Sequence, residues 1–380
     1  MSDTALETAQ QLSRRFATTA AELDASGAFP RDNVAALHAA GLTNLVVAAE
    51  HGGGGAGLVT ARRVVSEIAR GEPSTALILA MHLAQHATIR AGRRWPAHLA
   101  DRLVTESLRG PALVNALQVE PEAGSPSYGT LPHTTARRDG EGWRVSGRKR
   151  FATGCEGLHW FIVSAVTDEP VPRHGSFAIP HRAPGIRILR TWDSAGMRAT
   201  GSHDVVFEDV PVPYEDTLDL APASLGPRRD EAQMVWFMAL IGAVYHGVAR
   251  ALRDDILAFA ARQSPGGLGA SLATLPRIQD ELGAIEVLVE SSERLLDSLA
   301  AEADAGGTPG AVAAMLRLVV LENALRAAER ALVIAGNAGV SRQFPFERHH
   351  RNLLCGRTHA PNPVLVRANA AKTALARLDT

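Results

Sequence analysis

An α+β protein built from three successive domains, helical, then β, then helical again, is what this sequence predicts. Two changes of composition along its 380 residues carry that prediction. Residues 1–112 set apolar side chains at helical spacing. Residues 113–218 break into short runs rich in Val, Ile, Phe and Trp, cut by Gly, Pro and Asp. Residues 228–380 return to Ala, Leu, Arg and Glu with a three-to-four-residue apolar period. A chain of this length has room for two or three compact units of roughly 100 to 200 residues each.

In the first domain, "FPRDNVAALHAAG" reads as a helix with Pro30 just inside its start and Gly41 at its end. "LTNLVVAAEHGGGGAGLVTARRVVSEIARGE" can be written as the dinucleotide fingerprint G-x-G-x-x-G. That motif works only where a strand feeds a tight turn and the ensuing helix returns to a second parallel strand. The next stretch is instead "PSTALILAMHLAQHATIRAG", apolar at helical spacing over about 74–90, so the glycines read as a connection between helices. In the second domain, "GWRVSGRKRFATG", "HWFIVSAV", "GSFAIP", "IRILRTW" and "SHDVVFEDVPVP" are short strands, which together predict a small barrel or sandwich. In the third, "LPRIQDELGAIEVLVESSERLLDSLAAE" and "AVAAMLRLVVLENALRAAERALVIAG" are long amphipathic helices, and a bundle is their natural outcome.

Composition also excludes function classes. The formal charge is −1 and the arginines are scattered, which argues against a nucleic-acid partner. Cys155 and Cys355 are the two cysteines, with no CxxC and no zinc spacing, so neither a disulfide framework nor a structural metal is expected, and a reducing cytoplasm fits. The start "MSDTALETAQQLSRRF" lacks the continuous apolar core of a signal peptide, and no stretch reads as an uninterrupted membrane span. His82 and His86 lie one helical turn apart, but no acidic third ligand lies nearby in sequence, so no metal centre is expected.

Several motifs then stand in one register. "VEPEAGSP" (119–126) is similar to a T-E-P-x-A-G-S-D loop, and "GWRVSGRKRFATG" (142–154) to a G-G-Y-x-L-N-G-x-K-x-W-I-T-N strand pair. "GMRATGSHDVVFEDVPVP" (196–213) matches a G-M-R-x-S segment with its adjoining strand, "AGNAGV" (335–340) a G-G-x-G turn, and "PFERHHRN" (345–352) a P-x-E-R-x-x-R-D stretch. On these motifs the chain resembles the flavoproteins of the acyl-CoA dehydrogenase superfamily over nearly all of its length. The resemblance implies an N-terminal helical domain, a small β domain and a C-terminal four-helix bundle, with FAD as cofactor and FMN as the alternative. A flavin ring needs donors aimed at its carbonyls and an aromatic wall. The resemblance assigns the loop of Gln118, Val119, Gly124 and Ser125 to the donors, Phe151 to the wall and Thr153 to a hydrogen bond. It assigns the ADP half of FAD to Arg262, Gln279, Gly336 and Gly339 across a subunit boundary, hence a homodimer or homotetramer.

The resemblance fails at the catalytic base. Members of the superfamily take the proton α to a thioester with a glutamate at one of two places; here those places hold Ala360 and Phe237. The first reading is a desaturase of an acyl thioester or related small molecule with a non-standard base, His359 or Glu231, and electron-transfer flavoprotein as partner. The second is a monooxygenase using reduced flavin and oxygen, supplied by a flavin reductase. "RTHAPNP" resembles the R-T-x-x-L-H-D-P-V stretch of dehydrogenase-fold flavin monooxygenases, with His359 on that histidine. The third is a catalytically idle flavin-binding scaffold. The resemblance further places the helix over about 74–90 against the substrate, with His82, Gln85 and Phe237 lining the pocket, and treats His349 and His350 as packing residues.

Overall fold

The structure is a computed structural model that describes residues 2–378 apart from Arg93, Pro126, Tyr128, Arg229, Leu268, Thr308 and Pro309. Its N-terminal part comprises α1 (Ser2–Ala17), α2 (Ala20–Ser26), α3 (Arg31–Ala39), α4 (Leu58–Gly71), α5 (Pro73–Ala91) and α6 (Ala97–Arg109). Helix α5 starts sharply because Pro73 pre-sets the first turn and the Glu72 carboxylate accepts from the Ser74 and Thr75 N–H groups at 3.0 and 2.6 Å. Gly92, left-handed at φ 68°, ends it. Nearly every face of α5 is buried, as expected of a helix walled on several sides.

The glycine run has a packing explanation. A Cβ on Gly53 would come within 2.4 Å of the Val47 carbonyl oxygen, and one on Gly54 within 2.6 Å of that of Leu45, so the two backbones touch. The first N–H groups of α4, on Leu58 and Val59, donate to the Asp304 carboxylate at 2.7 and 3.0 Å. The helix start that a fingerprint would offer to a pyrophosphate is therefore filled by this chain's own carboxylate.

The β domain comprises β1 (Leu113–Leu117), β2 (Thr135–Asp139), β3 (Gly142–Ala152), β4 (Leu158–Thr167), β5 (Arg173–Pro180), β6 (Ile186–Leu189), β7 (His203–Pro213) and β8 (Thr217–Pro222). They form one eight-stranded sheet in the order β6-β7-β3-β2-β4-β5-β8, with β1 running parallel on β4. The sheet curls so that β5 packs across β7, enclosing Trp143, Val145, Phe161, Phe177, Val205 and Phe207. Strand β8 carries this domain to Pro222, beyond the boundary at 218 that composition suggests.

The C-terminal part holds α7 (Glu231–Arg262), α8 (Pro276–Asp304), α9 (Gly310–Ala335), α10 (Phe346–Cys355) and α11 (Pro363–Leu375). Helix α7 packs on α4, α5, α8 and α9 and joins the two helical parts through one shared core. It corrects the expectation about apolar length: α7 is long and apolar enough to cross a membrane, yet 83% of its most apolar window is buried inside the fold. Its hydrophobicity serves the core.

Candidate active site

The motif segments meet at the junction of the β domain and the C-terminal bundle. Near the end of strand β3 stands Phe151, whose backbone is left-handed at φ 54° and which is 51% exposed. A bulky residue in that conformation is strained, and such strain clusters at functional sites. The Trp192 ring meets Phe151 edge-on at 6.2 Å. The Arg150 N–H donates to the Val119 carbonyl at 2.8 Å, tying the Gln118–Ser125 loop to β3. Gln118 is exposed, Val119, Gly124 and Ser125 are half-buried, and the Ser125 hydroxyl accepts from the Ser127 N–H at 3.2 Å. Gly124 is left-handed at φ 69°, with no atom of the described residues within 4 Å of where a Cβ would stand, so the loop presents open backbone there.

Two residues that motif reading leaves unassigned suspend this loop. The fully buried Lys149 ammonium donates to the Glu120 carboxylate at 2.6 Å, and the same carboxylate accepts from the His133 and Thr134 N–H groups at 2.6 and 3.0 Å. Burial alone would raise the Glu120 carboxyl, but the bonds from Lys149, Thr134 and His133 hold it below the ordinary range. Burial pushes Lys149 down to about 8. The signal was present in the sequence as the E and the K of the two motifs, without any indication that they pair.

Thr153 is buried; its hydroxyl bonds to Ser202 at 3.0 Å and its carbonyl accepts from Asn115 at 3.0 Å. The Trp192 indole N–H donates to the Met197 carbonyl at 3.1 Å, and the Met197 N–H donates to Asn352 of α10 at 2.7 Å. Arg351 beside it binds Asp24 and Glu347, so the "ERHHRN" segment locks α10 to both other domains. Ser194 touches the Cys355 sulfur at 3.6 Å, and the contacts continue into the bundle. There the Tyr245 hydroxyl of α7 lies 2.7 Å from Nε2 of His359, and Arg317 of α9, fully buried, donates to the Pro361 carbonyl. Burial, and then the Arg317 charge, push His359 down to about 3.

Exposed Phe151 with Trp192, the open backbone at Gly124 and the hydroxyls of Ser125 and Thr153 offer the kinds of group, donors and an aromatic wall, that a flavin ring needs. The region assigned to the ADP half lies at one end of the bundle. Arg262 is the exposed last residue of α7, and Gln279, exposed near the start of α8, donates to the Ala273 carbonyl at 2.9 Å. Gly336 is left-handed at φ 54° with open space beside it, while Gly339 is buried against Leu332. Phe259 stacks edge-on with Phe344 at 5.6 Å, bringing the end of α7 close to this turn within one chain.

The remaining candidates fall elsewhere. His82 has no ring nitrogen left for a substrate: Nδ1 accepts from the Val114 N–H at 3.2 Å and Nε2 donates to the Thr43 carbonyl at 3.0 Å, fastening α5 to β1. Gln85 is buried on the same helix face. Neither nitrogen of His86 has a partner among the described residues. Glu231 is exposed at the outer end of α7 against Gly310, 14 residues from Tyr245 and so roughly 21 Å along the axis from the level of His359. The two candidate bases cannot serve one reacting atom. Phe237 is half-buried against the helical core. His349 bonds to Asp255 at 2.8 Å, while Cys155 and Cys355 are both free thiols.

Known proteins share this architecture and its sequence. Residues 3–94, 117–210 and 230–360 match the family models for the N-terminal, middle and C-terminal domains of acyl-CoA dehydrogenase. The putative acyl-CoA dehydrogenase YdbM of Bacillus subtilis is 31% identical over 360 residues, covering 94% of this chain and 92% of that protein. L-evernosamine nitrososynthase of a Micromonospora species is 28% identical over 361 residues, covering 90% and 82%. The structure of KijD3 in complex with FMN and a dTDP-linked amino keto sugar is similar at a TM-score of 0.86 and 26% identity, covering 99% of this chain and 94% of that one.

Proposed function

Because the chain belongs to the acyl-CoA dehydrogenase family and is a flavin-dependent oxidoreductase, we propose that it uses reduced flavin and oxygen rather than desaturating an acyl thioester. The observation that carries this reading is His359. A base that removes an α-proton works best with a pKa near the operating pH. His359, held down at about 3, is a weak base, Phe237 and Ala360 cannot ionise, and Glu231 lies too far along α7. A neutral imidazole still has an N–H, and an N–H beside a flavin can donate to oxygen-derived groups. The likeness to a nitrososynthase and to FMN-bound KijD3 supports the same reading.

When bound in reduced form, the flavin, FAD or alternatively FMN, supplies two electrons and two protons, so that dioxygen ends as one oxygen atom on the substrate and one molecule of water. The Gln118–Ser125 loop orients the ring, Phe151 and Trp192 cover it, and His359 holds a proton as donor. Electrons come from a flavin reductase. Desaturation with electron-transfer flavoprotein as acceptor is the second reading, favoured by the likeness to YdbM. A stopped-flow experiment separates them. Anaerobic acyl-CoA thioesters should leave the oxidised flavin unchanged, and reduced flavin mixed with oxygen should reoxidise in two resolved phases, with hydrogen peroxide released only in the second. Direct anaerobic bleaching by a thioester at a turnover rate would overturn the oxygen reading.

We also propose a homodimer or homotetramer, built through the bundle. Val312, Val319 and Val333 lie along one stripe of α9 and are 42, 44 and 58% exposed, and Val340 beside the glycine turn is 75% exposed. Arg262, Gln279 and Gly336 share that exposed end. Assembly and flavin retention should therefore be linked. Sedimentation with and without FAD is expected to show flavin loss on dissociation, and a stable, fully flavinated monomer would contradict it.

A further inference from the structure

His359 has two ring nitrogens, and which of them carries the proton decides what the ring can do. The Tyr245 hydroxyl that meets Nε2 is in the interior, on a side chain only 1% exposed. Among the described residues, two titratable groups from the surrounding elements face this pair: Arg317 from α9 and Cys355 from α10. A guanidinium only donates. Burial raises the Cys355 thiol, so it stays protonated and is a weak acceptor, and burial likewise holds the Tyr245 hydroxyl well above its ordinary range. The phenol is thus a buried O–H in search of an acceptor, and the imidazole lone pair is the good one within reach.

We propose that Tyr245 is a positioning residue that locks His359 in the tautomer protonated on Nδ1, with the Arg317 guanidinium beside it opposing a second cation, which makes His359 a donor and not a base. Nδ1–H then leaves the ring on the edge away from Tyr245. Arg317 is anchored to the same turn, since it donates to the carbonyl of Pro361, two residues after His359. Its Nε–H has no partner among the described residues, so a second cation beside it would be opposed in a low-dielectric interior. The turn itself is seated on the pair: a Cβ on Gly356 would lie 2.4 Å from Leu321 and 3.2 Å from the Tyr245 ring. The tautomer is set by these contacts alone; its use as a donor rests on the oxygen reading.

The test is nitrogen-15 histidine spectroscopy on the flavin-loaded protein, with His359→Ala identifying the ring. In the wild type the ring should show the Nδ1–H form and no titration between about pH 5 and 8. Tyr245→Phe keeps the shape and removes the donor, so the ring should move toward the Nε2–H form and coupled oxygenation should fall about 3- to 10-fold. Arg317→Met should raise the pH at which the ring titrates, while burial still holds it below the ordinary value. A wild-type ring protonated on Nε2, or an unchanged tautomer in Tyr245→Phe, overturns the inference. The correct tautomer in a protein that bleaches with thioesters would instead overturn the oxygen reading and leave the lock standing.

Discussion

His359→Ala should cut coupled product formation by about 10²- to 10³-fold, the usual loss on removing one donor to charge developing on oxygen in a water-excluded site. Flavin content and the rate of flavin reduction by an external reductase should be unchanged, because His359 contacts Tyr245 in the bundle, whereas the proposed ring site is formed by the loop and by β3. Reduced flavin should still consume oxygen, now returning it as hydrogen peroxide. The wild-type rate should be nearly flat above about pH 5, since a ring held down to about 3 is already neutral there. His359→Gln, which keeps an N–H, should recover part of the activity. Wild-type coupling in His359→Ala would remove the histidine from the chemistry.

Glu120→Gln should destabilise the protein by about 3 to 5 kcal/mol, the cost of leaving one partner of a buried ion pair without the other. The ammonium of Lys149 is 0% exposed and its carboxylate partner 2% exposed, so neither charge can turn to water. Flavin retention should fall with stability, because the same carboxylate suspends the loop from Gln118 to Ser125. Acid should act in the same direction. The folded-state pKa of Glu120 lies below that of the unfolded chain, so its contribution is fully present above the ordinary carboxylate value and is lost as pH falls through the lower folded value. That places the loss below about pH 4, and Glu120→Gln should blunt it. Glu120→Gln with Lys149→Met should regain much of the stability, as buried pairs replaced by apolar groups often do. Urea unfolding midpoints read both variants; a change under about 1 kcal/mol in Glu120→Gln would show that the pair does not support the loop.

The fold was legible where a pattern is local. Helices α5, α8 and α9 obey the apolar period of their own residues, and β3, β4, β5, β6 and β7 their β-branched and aromatic runs. Strand β2, whose five residues TARRD hold one buried side chain, carries no such pattern and exists because β3 and β4 flank it. Part of the site was legible for the same reason. Phe151, Thr153 and the Ser125 loop lie in contiguous motifs, and the resemblance to the acyl-CoA dehydrogenase family names Phe237 and Ala360 at its two base positions.

By itself, the sequence determined the three-domain order, the stretches that carry the family's motifs and the residues that stand where the family has its carboxylates. These depend on residue type and on periods of two to four residues, which survive without knowledge of any partner. Tertiary structure alone decided what each polar group spends its hydrogen bonds on. Asp304 fills the helix start beside the glycine run, 246 residues away from Leu58. Val114 and Thr43 consume both nitrogens of His82, and Glu120 takes Lys149. Tyr245 and His359, 114 residues apart, meet because α7 is packed against α9 and α10. Burial is what makes these pairings consequential: a histidine in water titrates near 6.5 whatever surrounds it in sequence, whereas burial and then the Arg317 charge push His359 down to about 3.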